Sequence, residues 1–275
     1  MPGVISRGIT GNGVMIVRNK ASYGQYLKEF FGINVNPHQF VIALAGNPNV
    51  GKSTVFNALT GLRQHTGNWA GKTVCNMQGN FVYKHKSFLL VDLPGTYSLL
   101  AHTLEEEIAR DFICFGRPDI TLVVLDATCL ERNLNLALQI LEITGRVVLC
   151  VNLLDEAEKK KIYIDIPELE TELGVPVVGT AARKGEGLEN LLEALYRMVM
   201  GASSTEPRQI IYSQEVEEAI QQLMPEIQFL VGDQLNPRWV ALRLLDSDRS
   251  FIERISFYLS YRQSYFPSTP EVAIW

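Results

Sequence analysis

From Phe40 to about Met200 the chain alternates short, nearly continuous apolar runs with longer stretches whose apolar residues recur every three or four positions. The runs predict strands over Phe40–Ala45, Phe81–Tyr83, Ser87–Asp92, Ile120–Leu125, Arg146–Asn152 and Val175–Val178. Most lack an alternating polar face, the pattern of strands covered on both sides by helices. Helices are predicted over Lys52–Thr60, Thr103–Phe115, Leu130–Thr144, Asp165–Leu173 and Leu188–Met200. Thr103 three residues before Glu106 forms a capping box, followed by Leu104, Ile108 and Phe112 on one face. Such alternation predicts a mostly parallel, doubly wound α/β sheet, with an antiparallel edge where two short strands meet around Tyr83–Ser87.

After the polar, proline-containing linker Gly201–Gln209 the pattern turns helical, over Ser213–Gln228, Pro237–Leu245 and Asp248–Leu259. Pro225 is expected to kink or split the first of these, and Asn236 to cap the second, whose first turn holds Pro237. Before Phe40 lie a short apolar stretch, Val14–Val17, and a helical pattern near Tyr23–Phe31, to which the sequence assigns no role. The organisation predicted is an N-terminal extension (1–37), a nucleotide-binding domain (38–202) and a small all-helical domain (203–275).

Composition narrows the class. At 275 residues, 47% hydrophobic and 20% charged, the chain has material for a core and for two domains. Its 25 basic and 30 acidic residues, net −5, have the wrong sign for a protein that binds nucleic acid through phosphates. Cys75, Cys114, Cys129 and Cys150 are widely spaced and read as buried thiols in a reducing compartment. No leader opens the chain, and its apolar runs are too short to cross a bilayer, so it reads as soluble. His38, His65, His85 and His102 share no ligand spacing, and Glu105–Glu107 suits a solvated helix start.

The chemistry is concentrated in five short segments. Gly46-Asn47-Pro48-Asn49-Val50-Gly51-Lys52-Ser53 fits G-x-x-x-x-G-K-[ST] between a predicted strand and a predicted helix. The loop backbone and helix N-terminus, including Thr54 in the first turn, would cradle phosphates. Lys52 would reach the β- and γ-phosphates and the Ser53 hydroxyl would ligate Mg²⁺. Asn152-Leu153-Leu154-Asp155 selects the base. A carboxylate at Asp155 accepts from guanine N1–H and N2–H₂, whereas adenine would leave it buried and unpaired. In Ala181-Ala182-Arg183-Lys184-Gly185 a backbone N–H, assigned to Ala182, would meet guanine O6. Ala181 stands where serine is usual, so a supporting hydroxyl is lost.

Asp92-Leu93-Pro94-Gly95 supplies D-x-x-G. Asp92 would hold the Mg²⁺ shell through water and the Gly95 N–H would sense the γ-phosphate. Between these motifs the stretch Thr66–Thr73 reads as a mobile loop that brings a threonine to Mg²⁺, Thr73 first and Thr66 second. Trp69 reads as a packing anchor. Thr96 replaces the glutamine that orients water in Ras-like GTPases, so hydrolysis is expected to be slow or to use another device.

The segments GNPNVGKSTVFNALTG, TGNWAGKTV, DLPGTYSL, ARDF, LVVLDATCLERNLNLALQILE and VNLLDEAEKK together resemble the ferrous iron transport protein B family, from about Phe40 to Met200. The helical tail, with Pro237–Leu245, is similar to that family's helical spacer, proposed to restrain nucleotide release. The resemblance implies a Ras-like P-loop GTPase fold and a module on the cytoplasmic face of the cell (inner) membrane, regulating a membrane-embedded part of the same polypeptide that passes Fe²⁺. It implies GTP/GDP and Mg²⁺ as cofactors, with K⁺ held by Asn49 where an arginine finger otherwise acts. Lys52, Asn49, Thr73 and Gly95 are then the groups expected to act in catalysis. A homo-oligomer is compatible with it. Residues 1–36 extend beyond the family's usual start, and Trp69-Ala70-Gly71-Lys72 replaces its commoner Trp-Pro-Gly-Val. Two other readings stand beside it: a free-standing GTPase of ribosome assembly or RNA modification, which usually carries a basic appendage that this chain lacks, and a non-hydrolysing nucleotide sensor.

Overall fold

A computed structural model describes residues 20–61, 64–203, 205–232 and 234–265. The Val14–Val17 stretch lies outside the described residues. Seven strands form one sheet in the order β2-β3-β4-β1-β5-β6-β7: β1 Gln39–Gly46, β2 Gln64–Asn68, β3 Cys75–Tyr83, β4 Lys86–Asp92, β5 Ile120–Asp126, β6 Val147–Asn152 and β7 Val177–Gly179. The strands from β4 to β7 run parallel to β1. The β2–β3 and β3–β4 pairs are antiparallel. The connecting helices are α1 Lys20–Phe31, α2 Lys52–Thr60, α3 Leu104–Asp111, α4 Leu130–Ile143, α5 Leu154–Lys159, α6 Ile166–Leu173 and α7 Leu188–Val199. Three more, α8 Gln214–Val231, α9 Pro237–Leu245 and α10 Arg249–Tyr265, make up the helical tail.

Apolar residues line both faces of the sheet, which is why the central strands read as continuous runs. On one face Ile42, Leu44, Leu90 and Val124 pack with Phe56 of α2 and Leu191 and Leu195 of α7. On the other, Val41, Val91 and Val123 join a core that continues through Phe112 and Phe115 to Trp239, Phe251 and Tyr258 of the tail. One core therefore serves the sheet and the tail together.

Several expectations are corrected by these contacts. β2 lies outside the predicted strands, because its sequence QHTGN has no strand composition. It exists by pairing with β3, from Gln64 opposite Gly79 to Asn68 opposite Cys75. The first three residues of the predicted mobile loop, Thr66–Asn68, thus belong to an edge strand. The single helix expected to Phe115 ends its regular turns at Asp111 and widens into a π-helical turn over Phe112–Gly116. The Thr103 cap forms, its Oγ1 accepting from the Glu106 N–H (3.2 Å), but Glu106 reaches back one residue further than a capping box requires, to the His102 N–H (2.9 Å). α8 runs unbroken through Pro225 instead of splitting there. Of the four cysteines expected to be buried, Cys114 and Cys150 are buried and Cys75 and Cys129 are exposed.

The tail is fastened to α3 by a charged network. Arg110, with no exposed surface, donates to Asp111 Oδ1 (3.1 and 2.9 Å), Asp248 Oδ2 (3.3 Å) and Ser250 Oγ (3.1 Å). Arg254 of α10 donates to the other Asp111 oxygen at 2.6 Å. Within the tail, Arg238 makes a two-pronged bond to Glu217 (2.6 and 2.7 Å) and a third to Ile210 O (2.9 Å). The guanidinium pulls the Glu217 carboxyl down to about 2.

Removing one partner of a buried ion network leaves the others uncompensated, which costs ~3–5 kcal/mol. Arg110→Ala should lower stability by about that amount and uncouple the tail from the sheet, so that urea denaturation followed by helicity and by tryptophan fluorescence gives two separated transitions. A single transition at the wild-type midpoint would contradict this.

Candidate functional site

Parallel strands present their carboxyl ends along one edge, the usual ligand-binding margin of an open α/β sheet. Leu44 pairs with Asp92 across β1–β4, Gly46 with Val124 across β1–β5, and Asp126 with Asn152 across β5–β6. This register brings the ends of the motif-bearing strands to one edge.

Gly46–Ser53 passes from β1 into α2. Gly51, at φ +84°, precedes the helix, and a Cβ there would lie 2.3 Å from Asn152 Nδ2, so only glycine fits. No side chain caps α2, which leaves its first N–H groups for an anion. Asn49 also has a left-handed backbone (φ +68°) and is exposed. Ser53 and Thr54 are exposed beside it. Asn47 is 3% exposed, and both of its amide atoms lack a hydrogen-bond partner.

The Lys52 ammonium bonds the Asp92 carboxylate and Leu93 O (2.8 Å). Burial raises the Asp92 pKa above the ordinary carboxylate value, and the ammonium only partly offsets that shift. A desolvated carboxylate needs a cation, and Lys52 supplies it. The D-x-x-G loop lies against the P-loop: the Thr96 N–H reaches Gly46 O at 3.4 Å, and a Cβ on Gly95 would sit 3.5 Å from the Pro48 backbone. Thr96 is buried, and its hydroxyl donates to Ser98 O at 2.6 Å.

Asn152 ties three segments together. Its Nδ2 donates to Val50 O (3.0 Å), while its Oδ1 accepts from Thr180 Oγ1 (3.1 Å) and the Ala182 N–H (3.1 Å). Thr180 thus supplies a supporting hydroxyl one residue before the missing serine, a role the motif spacing does not reveal. The Ala182 N–H, expected at the base, instead donates to Asn152. The Ala181 N–H bonds Glu186 O at 3.1 Å. Leu153 takes a left-handed conformation (φ +65°), and Asp155 then falls in the first turn of α5. Lys184 approaches the Asp155 carboxylate to 3.4 Å, with side chains 50% and 12% exposed. Lys184 lies in the expected loop but had no predicted role; the signal was a cation in the loop next to N-x-x-D.

The loop after β2 holds Trp69, buried as the expected anchor with its Nε1 unpartnered. The Trp69 N–H donates to Val74 O (3.1 Å) and Lys72 Nζ pairs with Glu107 of α3 (3.1 Å). Thr73 is exposed; Thr66 lies within β2, opposite Met77. Among the described residues, no group of three or more His, Cys, Asp or Glu could hold a metal. A cleft of about 610 Å³ lined by Glu170, Arg197 and Glu206, among others, contains none of the expected site residues.

Comparison with known proteins gives these loops a family. A model described as ferrous iron transport protein B matches residues 40–195, and one described as the FeoB cytosolic helical domain matches 212–268. The crystal structure of the cytosolic domain of the T. maritima FeoB iron transporter in GDP form superposes with a TM-score of 0.73 at 38% identity, covering 86% of this chain and 88% of that one. The L. pneumophila FeoB cytosolic domain gives 0.72 at 32% identity, over 83% and 89% of the two chains. The Fe(2+) transporter FeoB of Salmonella typhimurium is 40% identical over 76% of this chain, and the Fe(2+) transport protein A/FeoB fusion protein of Porphyromonas gingivalis 38% identical over 79%. Those matches span 27% and 26% of the two relatives' own lengths. Among the described residues no helix is long and apolar enough to cross a membrane. The ribosome-assembly reading is not favoured. With a P-loop sheet of the GTPase fold followed by a cytosolic helical domain, the chain belongs to the ferrous iron transport protein B family.

Proposed function

We propose that this chain binds guanine nucleotides and slowly hydrolyses GTP, as the cytoplasmic regulatory module of a membrane protein that passes Fe²⁺. The observation that carries the reading is the convergence of P-loop, D-x-x-G and N-x-x-D on one sheet edge, with Asn152 bonded to both the first loop and residues 180–182. Residues 38–202 form the nucleotide domain and 203–275 the helical spacer.

The residues present fit the groups the family implies. The uncapped start of α2 and the glycine cradle at Gly51 suit a phosphate chain. Gly46, Asn47, Pro48 and Val50 contribute backbone, and the ammonium of Lys52 moves from Asp92 to the β- and γ-phosphates. Ser53 and, with a triphosphate, Thr73 would hold a magnesium ion, and the desolvated Asp92 carboxylate, released from Lys52, would accept from that ion's water shell. Asn49 would hold K⁺ at the loop's outer side. Bound together, such cations offset the negative charge that develops on oxygens as the γ-phosphoryl group leaves. Gly95 donates its N–H to the γ-phosphate, Asp155 accepts from the base edge, and the loop of Ala181 and Ala182 closes over it.

Asp155→Asn should weaken binding of a fluorescent GDP analogue by ~10–100-fold, because an amide cannot accept from both base donors, and should shift preference toward xanthine nucleotides. Equal affinities would remove Asp155 from the base pocket. Thr73→Ala should leave GDP affinity unchanged but slow single-turnover hydrolysis by ~10-fold or more. A GTP-analogue complex with Thr73 far from the metal would contradict the assignment. Phosphate release should be faster in KCl than in matched NaCl, and Asn49→Ala should abolish the difference with little change in nucleotide affinity. Equal wild-type rates in the two salts would exclude the potassium mechanism.

A further inference from the structure

Helix α1 precedes residue 40, where the family model begins. Its aromatic residues fall at helical spacing on one face, with Tyr23, Tyr26, Leu27 and Phe31 all buried. That face meets three parts of the molecule that belong to different functional units.

The first is the π-helical turn that follows α3. Helix ends leave carbonyls without intrahelical partners, and two tyrosines supply donors: Tyr23 Oη donates to Gly116 O and Arg117 O (both 2.9 Å), and Tyr26 Oη to Phe115 O (3.2 Å). The second is the loop that leads to Thr73. The Phe31 ring packs edge-on against Trp69 (6.5 Å) and Phe112 (5.2 Å), and Trp69 against Phe112 (5.2 Å). The Ala70 N–H reaches Phe31 O at 3.4 Å. Gly32, at φ +72°, runs so close to the loop that a Cβ there would lie 2.9 Å from Asn68 O. The third is α10 of the tail. Tyr26 meets Tyr258 (6.4 Å), Phe30 meets Phe257 (5.5 Å), and Arg254 lies 5.4 Å above the Phe30 ring while bonding Asp111.

We propose that α1 is an intrachain clamp. It holds the loop after β2 and the helical tail against the π-helical turn after α3 in a single arrangement, and it restrains the loop movements that nucleotide release and exchange require. In this chain the segment ahead of the family's domains acts as a regulatory element. The proposal rests on reading the loop that ends at Thr73 as nucleotide-responsive, but its structural part does not. Loosening α1 should loosen the loop whether or not a nucleotide is bound.

Two substitutions separate the clamp from general damage. Gly32→Ala keeps the aromatic face and pushes on Asn68, and Phe31→Ala removes the ring between Trp69 and Phe112. Lys28→Ala, on the exposed side of α1, is the control. Circular dichroism and thermal melting establish that each variant is folded. Amide hydrogen exchange at residues 64–74 of nucleotide-free protein should rise in both test variants and stay unchanged in the control. Release of a fluorescent GDP analogue should accelerate about fivefold, the factor one aromatic contact is worth. Folded variants with wild-type exchange in that segment would overturn the clamp, as would faster exchange with unchanged release. A wild-type protein that takes up no GDP analogue would refute the nucleotide reading, and amide exchange would still decide the clamp. If Phe31→Ala fails to fold, Gly32→Ala decides by the same two measurements.

Discussion

The candidate site depends on the side-chain amide of Asn152. It sits almost fully buried at the carboxyl end of β6, where an unsatisfied amide would cost ~1–3 kcal/mol. Satisfying it requires Val50 of the P-loop and Thr180 and Ala182 of the following loop to be in their places. The glycine at position 51 follows from the same contact, because any side chain there would strike the amide. The P-loop and the loop after β7 are therefore set relative to one another by one residue that touches both. The strand register beneath supplies the rest of the alignment.

Charge is handled in two ways. At the strand ends Lys52 and Asp92 neutralise each other beside the P-loop, where both groups can exchange partners. Away from it, Arg110, Asp111, Asp248 and Arg254 are held in fixed geometry between α3 and the tail. The first pair is suited to ligand exchange. The second is suited to transmitting the position of α3, which follows the D-x-x-G loop and is tied by Glu107 to Lys72.

Much of this was legible in the sequence. The central strands announced themselves by apolar runs, and the three nucleotide motifs by short, local spacings whose chemistry depends on neighbours in the chain. What was not legible depends on contacts between distant segments. QHTGN has no propensity to be a strand and becomes one only beside β3. The π-helical turn at Phe112–Gly116 sits where Tyr23 and Tyr26 take its carbonyls, from a helix far upstream in sequence. Thr180 compensates for Ala181 through Asn152, a partner no linear spacing connects to it. The helical pattern near Tyr23–Phe31 was visible, but its role was not, since an aromatic stripe does not reveal what lies opposite.

The position of β2 in the strand order has a mechanical consequence. It lies at an edge of the sheet, paired with β3 alone, so peeling it away breaks a single ladder and leaves every other ladder intact. A central strand could not leave without sacrificing two ladders and splitting the apolar layers on both faces. The sheet is therefore stiff in the middle and compliant at this margin, and the segment leading to Thr73 is attached at its softest point.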